Sequence, residues 1–367
     1  MDFDFSEDVK QMRQEAARFL RNRLPPDVLR RSLNSGEPYD RELWLALAQM
    51  GWLGAAIPEQ LGGSGLGYET LCMLAGEIGH ALAPVPFSSS VYLVAEALLL
   101  FGSDEQKQRW LPRIADGSVV GAFALAEGMG APSARHLRTV FADGKLTGAK
   151  APVFDGAEAD LFVVVGRAGE EAGLYLVERE HAAVAPLRSL EVAPIATRVS
   201  FENAPAEPLP GAGRWRAIER LLERAAVLFA FEQVGGAQGA LDMAVAHARE
   251  RFAFGRPIGS FQAVKHQLAD IYVATELARS NAYFGAWSLD HDSADSSQAA
   301  ATARLAATEA FERAAAQNIQ THGGMGFTWE SPCHFYYRRA KRLAGQIGGP
   351  RYWRNRLVGA LASREAA

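Results

Sequence analysis

Two stretches of the chain carry residues suited to gripping an anion. The first runs Arg251-Phe-Ala-Phe254-Gly255-Arg-Pro-Ile258-Gly-Ser-Phe261-Gln262. Arg251 follows a long apolar helical pattern and precedes an aromatic, a glycine and a proline, so its guanidinium falls where a helix ends and the backbone turns. A guanidinium stays charged at any working pH and pairs bidentately with phosphate oxygens. Gln262 stands just inside the next helical pattern, where its amide adds donors to the same anion. The second stretch runs Gln320-Thr-His-Gly323-Gly324-Met-Gly326-Phe327-Thr-Trp-Glu330-Ser-Pro332. Its glycines free the backbone to take positive φ and to approach a ligand more closely than a Cβ permits. Taken alone, such a cluster reads as a helix C-cap and tight turn.

An acid in an apolar run is the third chemical feature: Glu232 stands in Ala225-Ala-Val-Leu-Phe-Ala-Phe231-Glu232-Gln233-Val-Gly235. A buried carboxylate costs several kcal/mol unless it is paired or protonated. Glu232 therefore has two readings of equal weight, a functional acid or a carboxylate that faces solvent or is bridged to an arginine of the same bundle. Glu127 is a second acid candidate and equally an ordinary strand-end carboxylate. Glu223, among Glu219, Arg220 and Arg224, reads as part of a solvated charged face. His266 and His322 read as packed or capping histidines. Cys72 and Cys333 lie far apart without metal-ligand spacing, so buried thiols are expected and neither a metal site nor a disulfide framework.

These groups need elements to hold them, and 367 residues suffice for two or three packed units. From Ser6 to about residue 114 the apolar spacing is helical, interrupted by a breaker-rich loop between Gly51 and Gly67. From Val119 to Pro208 short runs rich in Val, Phe and Thr alternate with turn signals such as Asp143-Gly144 and Asp155-Gly156, which predicts a small antiparallel barrel or sandwich. After Pro210 long Ala-rich helical patterns return, including one from Trp215 to Arg251, and suit a four-helix bundle. The expected class is α+β, with an N-terminal helical domain over 1–117, a central β domain over 118–210 and a C-terminal bundle over 211–367. No apolar run approaches the ~20 residues of a spanning helix, so no membrane partner is expected. A net charge of −4 without a basic run excludes a general nucleic-acid surface. The acidic start lacks an export signal, which makes a cytoplasmic location the default.

The two glycine- and arginine-bearing blocks, in this order and followed by Arg338-Arg-Ala-Lys341, resemble the acyl-CoA dehydrogenase family. The resemblance extends over essentially the whole chain. It implies FAD as cofactor, an acyl-CoA thioester as substrate, and an electron-transfer flavoprotein as electron acceptor. It also implies that Arg251, Phe254 and Gln262 hold the FAD of their own subunit, and that Gln320, Gly323 and Gly324 close over the flavin of a neighbour. A homo- or hetero-tetramer follows from that sharing.

Departures from the family pattern fall on the chemistry-bearing positions. A Thr-Glu-Pro-x-Ala-Gly-Ser-Asp run is replaced by Ala126-Glu127-Gly128-Met-Gly130-Ala-Pro-Ser133-Ala134, and a Trp-Ile-Thr segment by Pro152-Val153-Phe154. The family's α-proton base lies either beyond the Arg-Asp-Ala-Lys motif, where this chain has Gln346-Ile347-Gly348-Gly349, or at the position matching Ala225. Neither is an acid. Glu232, two helical turns beyond Ala225 on the same face, becomes the candidate base of an acyl-CoA dehydrogenase. The alternative is a non-catalytic subunit of an α2β2 assembly that completes the flavin site of a related chain.

Overall fold

A computed structural model describes residues 6–128, 130–191 and 196–365; Met129 and residues 1–5, read above for a targeting signal, lie outside the described residues. The helices before the sheet are α1 (Glu7–Arg23), α2 (Pro26–Asn34), α3 (Arg41–Gln49), α4 (Gly67–His80), a π-helix (Ser88–Ala95), α5 (Glu96–Phe101) and α6 (Asp104–Ala115). Ser6 starts α1 by accepting from the Val9 amide at 3.4 Å, with Glu7 and Asp8 in the first turn where the helix dipole favours acids. Ser103 and Gln106 close a reciprocal capping box on α6. Within the stretch expected to be helical, α2 and the π-helix are elements that the apolar spacing did not single out. Pro26 opens α2 at the one helical position where its missing N–H costs nothing.

Two compact units form. One gathers the chain up to Arg31, Cys72–Ala83 and everything from Ala226 onward; the other comprises Ser32–Leu71 and Pro84–Ala225. The second unit holds the sheet: β1 (Gly121–Ala124), β2 (Val140–Ala142), β3 (Lys145–Phe154), β4 (Leu161–Ala168), β5 (Glu171–Glu178), β6 (Ala183–Pro186), β7 (Ala196–Pro205) and β8 (Glu207–Pro208). Its order is β6-β7-β3-β2-β4-β5-β8, with β1 on β4. Most pairs are antiparallel, as expected, but β1 and β2 run parallel to β4. A long connection, rather than a tight turn, joins each of them to β4 and lets the chain enter in the same direction. The sheet's core is built on Leu146, Phe162, Val164, Val177, Val199 and Phe201, all essentially buried.

In the first unit α7 (Trp215–Glu250) runs into a two-stranded hairpin, β9 (Phe252–Ala253) with β10 (Arg256–Pro257), and on to α8 (Gln262–Asp290), α9 (Ser296–His322), α10 (Cys333–Gly345) and α11 (Pro350–Glu365). Helix α9 packs against α8, α10 and α11 along an alanine-rich face. Helices α4 and α7 cross with their backbones in contact. A Cβ on Gly235 would lie 1.8 Å from the Gly76 carbonyl oxygen, and one on Gly79 would lie 1.9 Å from that of Glu232. Only glycine admits so close a crossing, and it fixes the height of Glu232 on α7. No described helix is long and apolar enough to cross a membrane. Both cysteines are buried free thiols, and among the described residues no His, Cys, Asp and Glu group is placed to hold a metal.

Candidate active site

Arg251 sits at the end of α7, where the chain doubles back. Phe254 (φ 53°) and Gly255 (φ 79°) form the turn, Arg256 pairs with Ala253, and the Ile258 amide donates to the Arg251 carbonyl at 2.8 Å. This return brings the N-terminus of α8 back beside the C-terminus of α7. Phe261, the residue before α8, offers no side-chain cap to its first amides, and Gln262 is exposed. The exposed Arg251 guanidinium has no hydrogen-bond or ion-pair partner among the described residues. Phe254 is 95% exposed, an aromatic at positive φ held in place by the hairpin around it.

The glycine block adjoins this corner. Helix α9 ends at His322; Gly323 takes φ 62° and donates its N–H to the Gln320 carbonyl, and a short 3-10 turn follows over Gly323–Phe327. Gly323 and Gly324 open on free space, whereas a Cβ on Gly326 would meet the Ile319 carbonyl oxygen at 2.4 Å. The His247 ring, one turn before Arg251, stacks on His322 at 4.0 Å between centroids and 23° between planes. The two blocks thus meet within one chain, at one end of the bundle. An arginine fork, an uncapped helix start, two exposed amide side chains and an open glycine turn form a donor set that fits a pyrophosphate, and the bare Phe254 ring adds an apolar surface beside it. The residues present fit FAD.

Glu232 is 2% exposed. Its Oε1 lies 3.4 Å from Arg339 Nη1 and 3.9 Å from Arg342 Nη2, while Oε2 has no hydrogen-bond partner. Arg339 also reaches the carbonyls of Leu82 and Ala83 at 3.4 and 3.5 Å. Arg304, 1% exposed, donates to the Gln233 side chain and to the carbonyls of Leu343 and Gln346, which caps the C-terminal end of α10. Burial pulls the Arg304 guanidinium down to about 9, against the pull of Glu232. Of the two sequence readings, the geometry provides the bundle arginine; it also leaves one carboxylate oxygen uncommitted. Beyond α10 the turn takes positive φ at Ile347 (54°) and Gly348 (103°), and Trp353 Nε1 donates to the Gly348 carbonyl at 3.1 Å. The buried Ile347 side chain stands in this turn, in the stretch where the family carries its base.

In the sheet unit, Glu127 is fully committed. Its Oε1 accepts from Lys150 Nζ at 2.7 Å and from the Thr139 hydroxyl and amide at 2.7 and 3.0 Å, and Oε2 accepts from the Arg138 amide at 2.7 Å. Burial pushes its carboxyl up, but the Lys150 and Thr139 donors outweigh that and hold it at about 2. Burial brings the Lys150 ammonium, 0% exposed, down to about 8 in spite of Glu127. A carboxylate so engaged is a poor proton acceptor near neutral pH. Its role is to fasten the loop: Glu127 bridges to Ala151 of β3, and the Gly128 amide donates to the Ala151 carbonyl at 3.0 Å. The Ala126–Gly128 and Pro152–Phe154 segments are thereby neighbours. Glu223 pairs with Arg216 at 3.0 Å, so its charge is matched, although its side chain is buried rather than solvated.

The sequence reading missed Arg304, Arg339, Lys150 and His247. Arg339 left a signal, for it stands where the family motif has an acid while Glu232 stands where the helix is otherwise apolar. That pair of departures is what a buried ion pair requires.

The family models for the acyl-CoA dehydrogenase N-terminal and C-terminal domains match residues 6–118 and 211–350. The acyl-CoA dehydrogenase IpdE2 of Mycobacterium tuberculosis is 33% identical over 353 residues, 96% of each chain. Among solved structures, a Tcur3481–Tcur3483 steroid ACAD variant superposes with a TM-score of 0.90 at 30% identity, over 98% of this chain and 99% of that one. The ChsE4–ChsE5 complex from Mycobacterium tuberculosis gives the same TM-score and identity, over 99% of both chains.

Proposed function

The chain belongs to the acyl-CoA dehydrogenase family and is an FAD-dependent oxidoreductase acting on acyl-CoA thioesters, and from that premise we propose how its residues divide the work of α,β-desaturation. Arg251 and the first amides of α8 hold the pyrophosphate, Gln262 and Gln320 add amide donors, Phe254 covers an apolar portion, and Gly323 with Gly324 let the backbone approach. The His247–His322 stack supports one revision of the sequence expectation: both blocks of a chain serve the same flavin rather than two different ones. When bound, FAD supplies the hydride acceptor for the β-hydrogen.

The α-proton needs a carboxylate, and we put forward Glu232. The observation that carries it is the unpartnered Oε2, a buried acceptor left free although Arg339 and Arg342 hold Oε1; the Nε of Arg304 is the other unpaired polar atom of this cluster. Arg339 and Arg342 hold Oε1 and orient the group. Glu232→Gln keeps the size and an acceptor for Arg339. Its flavin should still bind yet be reduced by acyl-CoA several orders of magnitude more slowly; near-normal reduction eliminates the assignment.

A second reading rests on the same ion pair. If Glu232 only neutralises Arg339, the base comes from another subunit. The solved relatives described as a Tcur3481–Tcur3483 enzyme and a ChsE4–ChsE5 complex support a hetero-oligomer of two related chains. In either reading the electrons pass on to an electron-transfer flavoprotein, as the family resemblance implies.

A further inference from the structure

We propose that the His322 imidazole belongs to the FAD pyrophosphate site and takes up a proton as the cofactor binds, with His247 stacked on it as the positioning residue. The inference rests on the assignment of the Arg251 and Gly323–Gly324 corner to FAD. His322 is half-buried at the last position of α9 and leads directly into the two open glycines. Its Nδ1 lies 2.8 Å from the Asn318 carbonyl oxygen. A carbonyl only accepts, so Nδ1 carries the proton and the neutral ring keeps a bare lone pair on Nε2. Toward a phosphate oxygen that lone pair is the wrong sign; protonated, Nε2 becomes a charge-assisted donor.

The surroundings set the direction of the coupling. The two rings stack at 4.0 Å, and burial, His322 and Arg251 all push the His247 imidazole toward its neutral form, with Glu250 opposing. On α8, packed against α9, Lys265 and His266 stand on the first turns, and Asp270 pairs with Arg313 of α9 at 3.1 Å. Without cofactor, a cation on the His pair would add to Arg251, with Glu250 as the opposing charge. A pyrophosphate supplies two negative charges and reverses the balance. Binding and protonation are then linked reciprocally, each favouring the other. His247 keeps the His322 ring from swinging away, since the stack fills its other face.

The test is the FAD dissociation constant of the full chain, in the oligomer in which it purifies, measured by flavin fluorescence from about pH 6 to about pH 8.5, the window in which an imidazole changes charge. The wild type should bind FAD roughly tenfold more weakly at the upper end. His322→Phe should keep the stack and lose the dependence, binding at every pH with the wild type's high-pH affinity, while His247→Phe should retain the dependence. A pH-independent constant in the wild type, or an unchanged slope in His322→Phe, overturns the proposal. No FAD binding by the wild type at any pH overturns the underlying assignment instead. Should His322→Phe not fold, calorimetry of FAD binding to the wild type near neutral pH, in buffers of differing ionisation enthalpy, decides: net proton uptake is expected, and none refutes it.

Discussion

Glu127 and Glu232 are both buried acids beside a buried cation, and they differ in what remains free. Every oxygen of Glu127 is engaged, whereas Glu232 keeps Oε2 open. Glu127→Gln would strand the Lys150 ammonium without a counter-charge, and a drop of about 3–5 kcal/mol in unfolding free energy is expected from denaturant titration. Because the folded carboxyl sits at about 2, below its ordinary value of 4.5, the stability it confers is present above pH 4.5 and drains away as pH falls from there toward 2. Acid unfolding of the Gln variant should lose that component. Arg251→Ala removes a charge-assisted phosphate contact and should weaken FAD binding by about 1.5–3 kcal/mol, roughly 10- to 150-fold in the dissociation constant. Unchanged affinity would place the anion elsewhere.

At the scale of elements, the site depends on helices brought closer than side chains allow. The α4–α7 crossing has the Gly76 carbonyl against Gly235 and the Glu232 carbonyl against Gly79. Gly235→Ala should force the helices apart and cost about 3 kcal/mol or more, seen as a lower melting temperature. The long helices were legible because apolar residues recur every three to four positions over many turns; Trp215–Glu250 falls within a residue of the expected bounds. Strand β3 was not, since Gly148 and Pro152 argue against a strand and fall at its two register shifts. The π-helix was also hidden, because a fully buried run carries no periodicity that separates one helical pitch from another. The flavin-facing corner was legible as two blocks of residue types. Their meeting through His247 and His322 was not, for nothing local to either block points at the other.

Across the whole molecule, large apolar groups remain in solvent: Tyr272, Val273 and Leu277 on α8, Val358 and Leu361 on α11, and Phe327 at the glycine turn. Exposed apolar surface on this scale supports the proposed oligomer. Sedimentation should show no stable flavin-loaded monomer, and Leu277→Glu should shift the chain toward smaller species; a wild-type monomer with bound flavin would refute the assembly. Family membership establishes the cofactor and the class of reaction, and the chain's own residues must then supply the anion grip and the proton acceptor. The central claim is met most directly by stopped-flow bleaching of the bound flavin on mixing with acyl-CoA, comparing the wild type with Glu232→Gln. The account predicts rapid bleaching of the wild type and a loss of several orders of magnitude in a variant that still holds FAD; equal rates in the two proteins, or no bleaching of the wild type, would contradict it.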